Sequence, residues 1–516
     1  MNTINFDDYY MINPAYKFRN DIKRVVLTNN NSLHINIYDQ VRKDFSSSFS
    51  TIMHPLVAYL FSFFDGSMTL NDTFKKISSI TGKSEEAVKN SFISFINNSE
   101  SLVYPMSDKF NAPIPINFII QKGEHKSREL LKNIDIEEIL KDVDLERQRY
   151  YVPNEITLMV NNKCYTDCVY CYANTSKKIT NPIPFERVKE LIKEAHNLGC
   201  REFGIGGGEF FLYEHWFELL QVLFEHEYEP YISTKIPINE DTIKKLKQLH
   251  INKIQISLDS VNPQILKETL NAPLSYFDKM KQTLDLLQKH NITLYIKSVV
   301  TKYNDSVEEI KKLTEFLLSY NNLYSLSIAP GEKGYNKPFT YNSSKEKLLE
   351  IQKYITGLEN LKVTIQSYMH PAENISFENK MQKHITRAKC SGNLAYFYIL
   401  PDGKVTVCEQ TYWHPFLILG DLNEQSIIDV WNSKKALSLW NIQQSEIQET
   451  SPCKTCTTFE NCRRGPGVCW KMAIQAYGAD KYDYPDPMCP YAPPVTQPFY
   501  IDKTVDQEFI DKYLKY

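Results

Sequence analysis

The sequence predicts an α/β protein: a partial, six-unit (β/α)6 TIM-like barrel, with a winged-helix-like α+β domain before it and a cysteine-rich domain after it. Three observations carry this. Strand-like and helix-like runs alternate from Ile156 to about Ser367. A few strands followed by three helices occupy the first 110 residues. Seven of the eleven cysteines fall after residue 389. Repeated βα units imply a parallel sheet with outer helices, and about six of them leave a barrel open. The expected divisions are 1–110, 111–150, 151–370 and 371–516.

In the first division, Phe18 to Leu27 reads as a hairpin-like pair, and Leu33, Ile35 and Ile37 alternate with polar neighbours as in a half-buried strand. Pro55 opens an apolar helix that Asp65-Gly66 stops. Thr69 and Asp72 form a capping pair for a second helix, and Ser84 caps a third whose apolar face is Val88, Phe92, Phe95 and Ile96. With Asn13-Pro14, Phe18-Arg19, Leu60 to Gly66 and Thr69-Leu70, this plan resembles the RiPP recognition element. That family binds the leader of a ribosomally made peptide as an added strand. A winged-helix DNA binder is the competing reading, but acids and bases nearly cancel here, so the footprint for phosphate is missing. Residues 111–150 are charged, with Ile134, Ile136, Ile139, Leu140 and Val143 at loosely helical spacing, and read as a bridging helix.

In the barrel, strands are expected at Ile156–Val160, Glu202–Ile205, Pro230–Thr234, Lys253–Leu258, Thr293–Thr301 and Tyr324–Ala329. Helices are expected at Glu186–Asn197, Trp216–Glu225, Asp241–His250, Phe277–Lys289, Val307–Leu318 and Lys345–Gly357.

The formal net charge of -3 gives no reason to expect nucleic acid or an anionic membrane as partner. No apolar run is long enough to span a bilayer, and the first residues lack the pattern of a secretion signal. The cytoplasm is the expected compartment. There, cysteines are metal ligands or catalytic groups rather than disulfides. Cys200, alone at a helix end, reads as a buried small apolar residue.

Cys164, Cys168 and Cys171 stand as C-x3-C-x2-C directly after the first barrel strand. Three thiolates can hold three irons of a [4Fe–4S] cube and leave the fourth open. A structural zinc site, the competing reading, usually takes four ligands. The run resembles the cluster loop of the radical S-adenosylmethionine (radical SAM) enzymes, which implies S-adenosyl-L-methionine (SAM) at the open iron and Tyr170 near the adenine. Gly206-Gly207-Gly208-Glu209 ends the second strand. It resembles the family's GGE motif: Gly207 and Gly208 allow close backbone approach, and Glu209 holds the ammonium of SAM. Phe210 replaces the usual proline. Ser257 and Asp259 end the fourth strand and resemble the family's residues near SAM, although a plain capping role is as good a reading. Ser298 is a further candidate for the ribose or carboxylate. The third strand ends Ser233-Thr234-Lys235, where relatives often carry Thr-Asn-Gly.

The later cysteines run Cys390-x12-Gly403-x4-Cys408, then Cys453-x2-Cys456-x5-Cys462-x6-Cys469, then Cys489. With Pro401-Asp402-Gly403 and Leu419-Gly420-Asp421-Leu422, they resemble a SPASM domain. The resemblance implies Cys390, Cys408 and Cys469 on auxiliary cluster I and Cys453, Cys456, Cys462 and Cys489 on auxiliary cluster II, hence three [4Fe–4S] clusters in all. A substrate thiolate or His414 is the candidate fourth ligand of auxiliary cluster I. One or two zinc sites are the alternative. Glu409, next to Cys408, is a candidate general base or a solvated acid.

Together these resemblances imply an enzyme that takes one electron from an external reductant, cleaves SAM, and abstracts hydrogen from a precursor peptide that carries a leader. Cross-linking is the expected outcome, thioether formation ahead of carbon–carbon linkage. The rival readings are a sulfatase-type protein maturase and a zinc-binding winged-helix regulator.

Overall fold

The computed structural model describes residues 4–29, 49–108, 110–174, 177–331, 340–360, 362–365, 376–387, 389–465 and 467–495. The expected strand at Leu33, Ile35 and Ile37 lies outside them. The chain divides into two compact units: residues 1–155 with 193–202 and 227–229, and the remainder. Among the described residues, no helix is long and apolar enough to cross a membrane.

The first unit holds strands β1 (Tyr9–Ile12), β2 (Tyr16–Asn20), β3 (Val25–Asn29), β4 (Ser50–Met53), β5 (Asp65–Thr69), β6 (Leu102–Pro105), β7 (Asn111–Ile114) and β8 (Ile119–Gln121). The β2–β3 hairpin pairs Phe18 with Leu27, as the sequence predicts, and β4 extends it. A second sheet has the order β5-β1-β8, and β6-β7 form a separate ladder. The three helices are Pro55–Phe61, Leu70–Thr81 and Glu85–Phe92. Thr69 Oγ1 accepts the Asp72 N–H at 3.2 Å, and Ser84 Oγ accepts the Ala87 N–H at 3.3 Å, so both expected N-caps are made. The core is aromatic: the Phe61 ring meets Phe92 at 5.1 Å, Phe95 at 5.6 Å and Phe118 at 5.1 Å.

The bridging helix expected over 111–150 is not formed. That segment contributes β7, β8 and a one-turn helix, Ile136–Ile139. Pro113 and Pro115 lack N–H donors and bias their neighbours to extended backbone. Leu130 and Ile139 are buried in the same core as Phe61, so this stretch completes the first unit instead of linking two.

The second unit carries β9 (Glu155–Met159, shared with the first at its first residue), β10 (Glu202–Gly206, likewise), β11 (Ser233–Thr234), β12 (Lys253–Ser257), β13 (Thr293–Val300), β14 (Leu323–Pro330), β15 (Val363–Ile365), β16 (Tyr396–Ile399), β17 (Lys404–Thr406) and β18 (Ile418–Asp421). Strands β11 to β15 pair in sequence order and all in parallel. Ile256, Ile296 and Leu326 are register partners across three of them and are at most 1% exposed. The other ladder runs β10-β9-β16-β17-β18, so the one sheet expected for the barrel divides between β10 and β11. Strand β11 is also shorter than predicted, for Pro230 has no N–H to give a ladder. A helix the sequence reading omitted, Pro263–Leu270, follows β12, with Asn262 Oδ1 accepting the Gln264 N–H at 3.0 Å.

Candidate cluster and cofactor site

The chain leaves β9 at Met159 and reaches Cys164 within five residues, and the end of β10 holds that passage in place. The Gly208 N–H donates to Asn161 O at 2.8 Å and the Glu209 N–H to Lys163 O at 2.7 Å. Asn161 Nδ2 returns a bond to Glu209 O at 3.1 Å. Only glycine fits this zipper. A Cβ on Gly207 would meet Asn161 O at 2.5 Å, and one on Gly208 would meet Lys163 O at 2.0 Å. The backbone that these two glycines approach is therefore that of the cysteine loop.

Cys168 is buried, Cys171 half-buried and Cys164 exposed. Desolvation first, then the Cys168 and Cys171 charges, push the Cys164 thiol up to about 12. Metal binding there must displace that proton.

The carboxylate of Glu209 is buried. Its Oε1 accepts Thr234 Oγ1–H at 2.7 Å and the Phe211 N–H at 3.3 Å, and its Oε2 accepts the Lys235 N–H at 3.1 Å. Burial raises its pKa, and these bonds offset the rise only in part. Asp259 is enclosed. Its Oδ1 accepts the Val299 N–H at 2.9 Å, while Oδ2 meets the Tyr170 hydroxyl and, at 3.1 Å, the Lys235 ammonium. Lys235 Nζ also donates to the Tyr170 hydroxyl at 2.6 Å. Burial opposes charge on Lys235, but Asp259 and then Cys168 outweigh it and hold the ammonium above its ordinary range. The structure thus joins predicted Tyr170, Glu209 and Asp259 through a residue the sequence reading had noted only as a departure, Lys235. Ser257 is apart from this cluster, with its hydroxyl accepting from Gln255 Nε2 at 2.9 Å. Ser298 is 1% exposed and its hydroxyl has no partner among the described residues. A buried hydroxyl left without a bond invites a polar ligand.

Glu409 is half-buried. Burial raises its pKa against the pull of Lys471 and Lys297. It lies within electrostatic range of Tyr172, Tyr398 and Tyr412; of these, Tyr172 and Tyr412 also sense Cys171, and Tyr398 senses Cys408. Glu409, Tyr172, Tyr398 and Tyr412 therefore share an electrostatic neighbourhood with Cys171 and Cys408.

The later thiols sense one another's charge in two neighbourhoods. Burial, then Glu409, Cys390 and Cys469, push Cys408 up to about 12. Burial, then Cys462 and Cys453, push Cys489 up to about 11. Cys453, Cys456, Cys462 and Cys489 line one cavity of about 400 Å³. Among the described residues, no three histidine, cysteine or carboxylate side chains converge tightly enough for a single ion. The grouping rests on shared lining and on mutual charge, and four thiols around a cavity of that size suit a multi-iron cluster. Asp486, fully enclosed, ties the two sets together: Oδ2 accepts Arg387 Nη1 at 2.7 Å and the Cys469 N–H at 3.1 Å, and its main-chain oxygen accepts the Cys489 N–H at 2.9 Å.

His414, the candidate fourth ligand, has Nε2 at 2.7 Å from Ala479 O and is 1% exposed. Burial lowers its pKa to about 4, and its Nδ1 has no hydrogen-bond partner among the described residues. His384, which the sequence reading passed over, sets Nε2 at 3.4 Å from Cys462 Sγ in the wall of the cavity. His384 stands six residues before Cys390, but a lone histidine in a helix gives no sequence signal of a contact with Cys462.

Residues 158–317 match the radical SAM superfamily, and residues 390–457 match SPASM, an iron–sulfur cluster-binding domain. These matches, which together cover less than half of the chain, indicate an enzyme acting by radical chemistry with iron–sulfur clusters and SAM. The chain is 22% identical over 337 residues to the mycofactocin maturase MftC of Mycolicibacterium smegmatis, which spans 65% of this chain and 82% of that protein. It is 23% identical over 297 residues to the sporulation killing factor maturation protein SkfB of Bacillus subtilis, or 56% of this chain and 67% of that one. Among solved structures, Streptococcus suis SuiB bound to S-adenosylmethionine superposes with a TM-score of 0.61 at 16% identity, over 93% of this chain and 99% of that one. SuiB bound to its precursor peptide SuiA gives 0.58 at 17% identity, with the same coverage.

Proposed function

We propose that this enzyme matures a ribosomally synthesised precursor peptide by installing a cross-link, with a thioether favoured and a carbon–carbon bond as the alternative. The observation that carries the reading is the lining of one cavity by Cys453, Cys456, Cys462 and Cys489, in a chain similar to the maturation proteins MftC and SkfB. In this reading Cys164, Cys168 and Cys171 hold the SAM-binding [4Fe–4S] cluster on a partial barrel. Cys390, Cys408 and Cys469 hold auxiliary cluster I. Cys453, Cys456, Cys462 and Cys489 hold auxiliary cluster II. Residues 1–110 bind the leader by strand addition to an open sheet edge.

When bound and reduced from outside, the first cluster and SAM supply a hydrogen-abstracting 5′-deoxyadenosyl radical, the chemistry of the cofactor rather than of the chain. The chain's own residues do the rest. Glu209 accepts the ammonium of SAM, Asp259 holds Tyr170 against the cofactor, and Ser298 offers its free hydroxyl. Gly207 and Gly208 fix the cysteine loop to β10. Glu409, whose carboxyl burial holds above its ordinary range, takes a proton from the substrate group that forms the new bond. The Tyr172, Tyr398 and Tyr412 rings exclude water around it. The test is co-incubation with SAM, a one-electron reductant and the precursor peptide. A loss of two hydrogens per event supports cross-linking. Unchanged mass with inverted chirality at one residue would replace it with epimerisation.

A further inference from the structure

Parallel sheets are normally covered on both faces and read as apolar runs. Strand β13 is the middle strand of the sheet β11-β12-β13-β14-β15, yet Lys297 on it is exposed. Side chains alternate along a strand. Leu294, Ile296 and Val300 are enclosed on one face of β13, while Tyr295, Lys297 and Val299 lie on the other and are half-buried or exposed. On that open face Lys297 carries the charge in a row of small polar side chains. Its register partners are Ser257 on β12 and Ser327 on β14, and Ser327 pairs in turn with Thr364 on β15. The Ser257 hydroxyl accepts from Gln255 Nε2 at 2.9 Å, which leaves its own O–H to donate. Aromatic rings border the row. The Lys297 ammonium lies 5.4 Å from the Tyr231 ring centroid, and the Tyr295 and Tyr324 ring centroids are 4.8 Å apart. Tyr231 is 48% exposed and Tyr324 41%, so neither ring is spent on the core. Glu409 is within electrostatic range of Lys297 but forms no ion pair with it.

We infer that Lys297 binds a carboxylate of the precursor peptide, and that the enzyme thereby selects peptides with an acidic group at a fixed distance from the residue it modifies. The inference rests on the peptide-maturase reading. Serine and threonine hydroxyls and exposed tyrosine rings offer a peptide neutral hydrogen bonds and flat apolar contact, which many sequences satisfy. Lys297 adds an interaction that depends on charge. A peptide carries its negative charge on aspartate and glutamate side chains and on its C-terminal carboxylate, so the group that complements Lys297 is a carboxylate from one of these sources. Its two oxygens can accept from the ammonium and from the Ser257 hydroxyl beside it, and charge-assisted bonds of this kind are the strong ones. An anchor at one point of the sheet face sets the register of the peptide across it.

The test is steady-state kinetics of peptide modification by the full-length, anaerobically reconstituted enzyme. The substrates are the precursor peptide and variants of it that each carry one amide in place of a carboxylate, at every acidic side chain in turn and at the C-terminus. With wild-type enzyme one amide variant loses about tenfold or more in kcat/KM, mostly through KM, and its position tells a side chain from the C-terminal carboxylate. In Lys297→Met the parent peptide falls to the level of that variant and the two become equal, while Lys297→Arg keeps them apart. Each comparison is a ratio within one enzyme preparation, so incomplete cluster loading cancels. The inference is overturned if no amide variant differs from the parent with wild-type enzyme, or if the tenfold ratio survives in Lys297→Met. It is also overturned if Lys297→Met weakens SAM binding by the same factor, because Lys297 is then a cofactor contact. Wild-type enzyme that cleaves SAM but modifies none of these peptides refutes the maturase reading itself, and the inference with it.

Discussion

Replacing Gly208 with alanine puts a methyl group 2.0 Å from the Lys163 carbonyl oxygen, which is backbone and cannot turn aside. The loop must move, and the two bonds that close it, Gly208 N–H to Asn161 O and Glu209 N–H to Lys163 O, go with it. Each is worth about 1 kcal/mol, and the forced displacement adds about 1–3 kcal/mol, so the local cost is about 3–5 kcal/mol. That cost falls on the loop that carries Cys164, not on the later cysteines. Gly207→Ala behaves likewise, because its Cβ meets Asn161 O at 2.5 Å at a φ of +131°. Gly206→Ala is the control: its Cβ meets the Tyr398 hydroxyl at 3.0 Å, the end of a side chain that can yield. The assay is iron and sulfide per chain after anaerobic reconstitution, with the electron paramagnetic resonance signal recorded before and after SAM. Gly208→Ala is expected to lose about four of about twelve irons and the SAM-induced change, while Gly206→Ala keeps both. A Gly208→Ala protein with full iron and a normal SAM-induced change would refute the zipper.

Cys200 is 2% exposed, with its thiol pushed up to about 12 by burial; Cys200→Ala should leave the iron content unchanged, and native protein should resist alkylation there. His384→Phe removes the partner of Cys462 Sγ. Hydrogen bonds to cluster sulfurs raise reduction potentials, so a redox titration should show one auxiliary cluster shifted to more negative potential with iron content preserved. His414 is neutral in the fold because burial lowers its pKa to about 4 from the 6.5 of a free side chain. The unfolded chain gains this proton first as pH falls, so its contribution is intact above pH 6.5 and drains away down to about pH 4. The total is about 3 kcal/mol. Thermal melts of His414→Leu across that window should show a flatter pH dependence than wild type.

Much of this was readable before any coordinates. Three helices of the second unit, Trp216–Glu225, Val307–Leu318 and Lys345–Gly357, match the sequence reading to the residue, because each has a 3.6-residue apolar stripe. The caps at Thr69 and Ser84 were readable because capping is local chemistry. The later cysteine sets were implied only by the resemblance to a SPASM domain. What escaped was tertiary. Residues 111–150 carry isoleucines near helical spacing, yet those apolar side chains are spent on the core around Phe61. The Asn262 cap and Pro263 were a helix signal left unused. A lysine after a strand looks like any surface lysine, and only the fold brings Lys235 to Asp259 and Tyr170. His384 reaches Cys462 across 78 positions of sequence, and no periodicity records that.

The most direct test is whether reduced, anaerobically reconstituted protein cleaves SAM. We expect 5′-deoxyadenosine and methionine from the wild type, and none when Cys164, Cys168 and Cys171 are replaced together by alanine with the later cysteines intact. A fully iron-loaded wild type that yields no 5′-deoxyadenosine, or a triple variant that still yields it, would contradict the account.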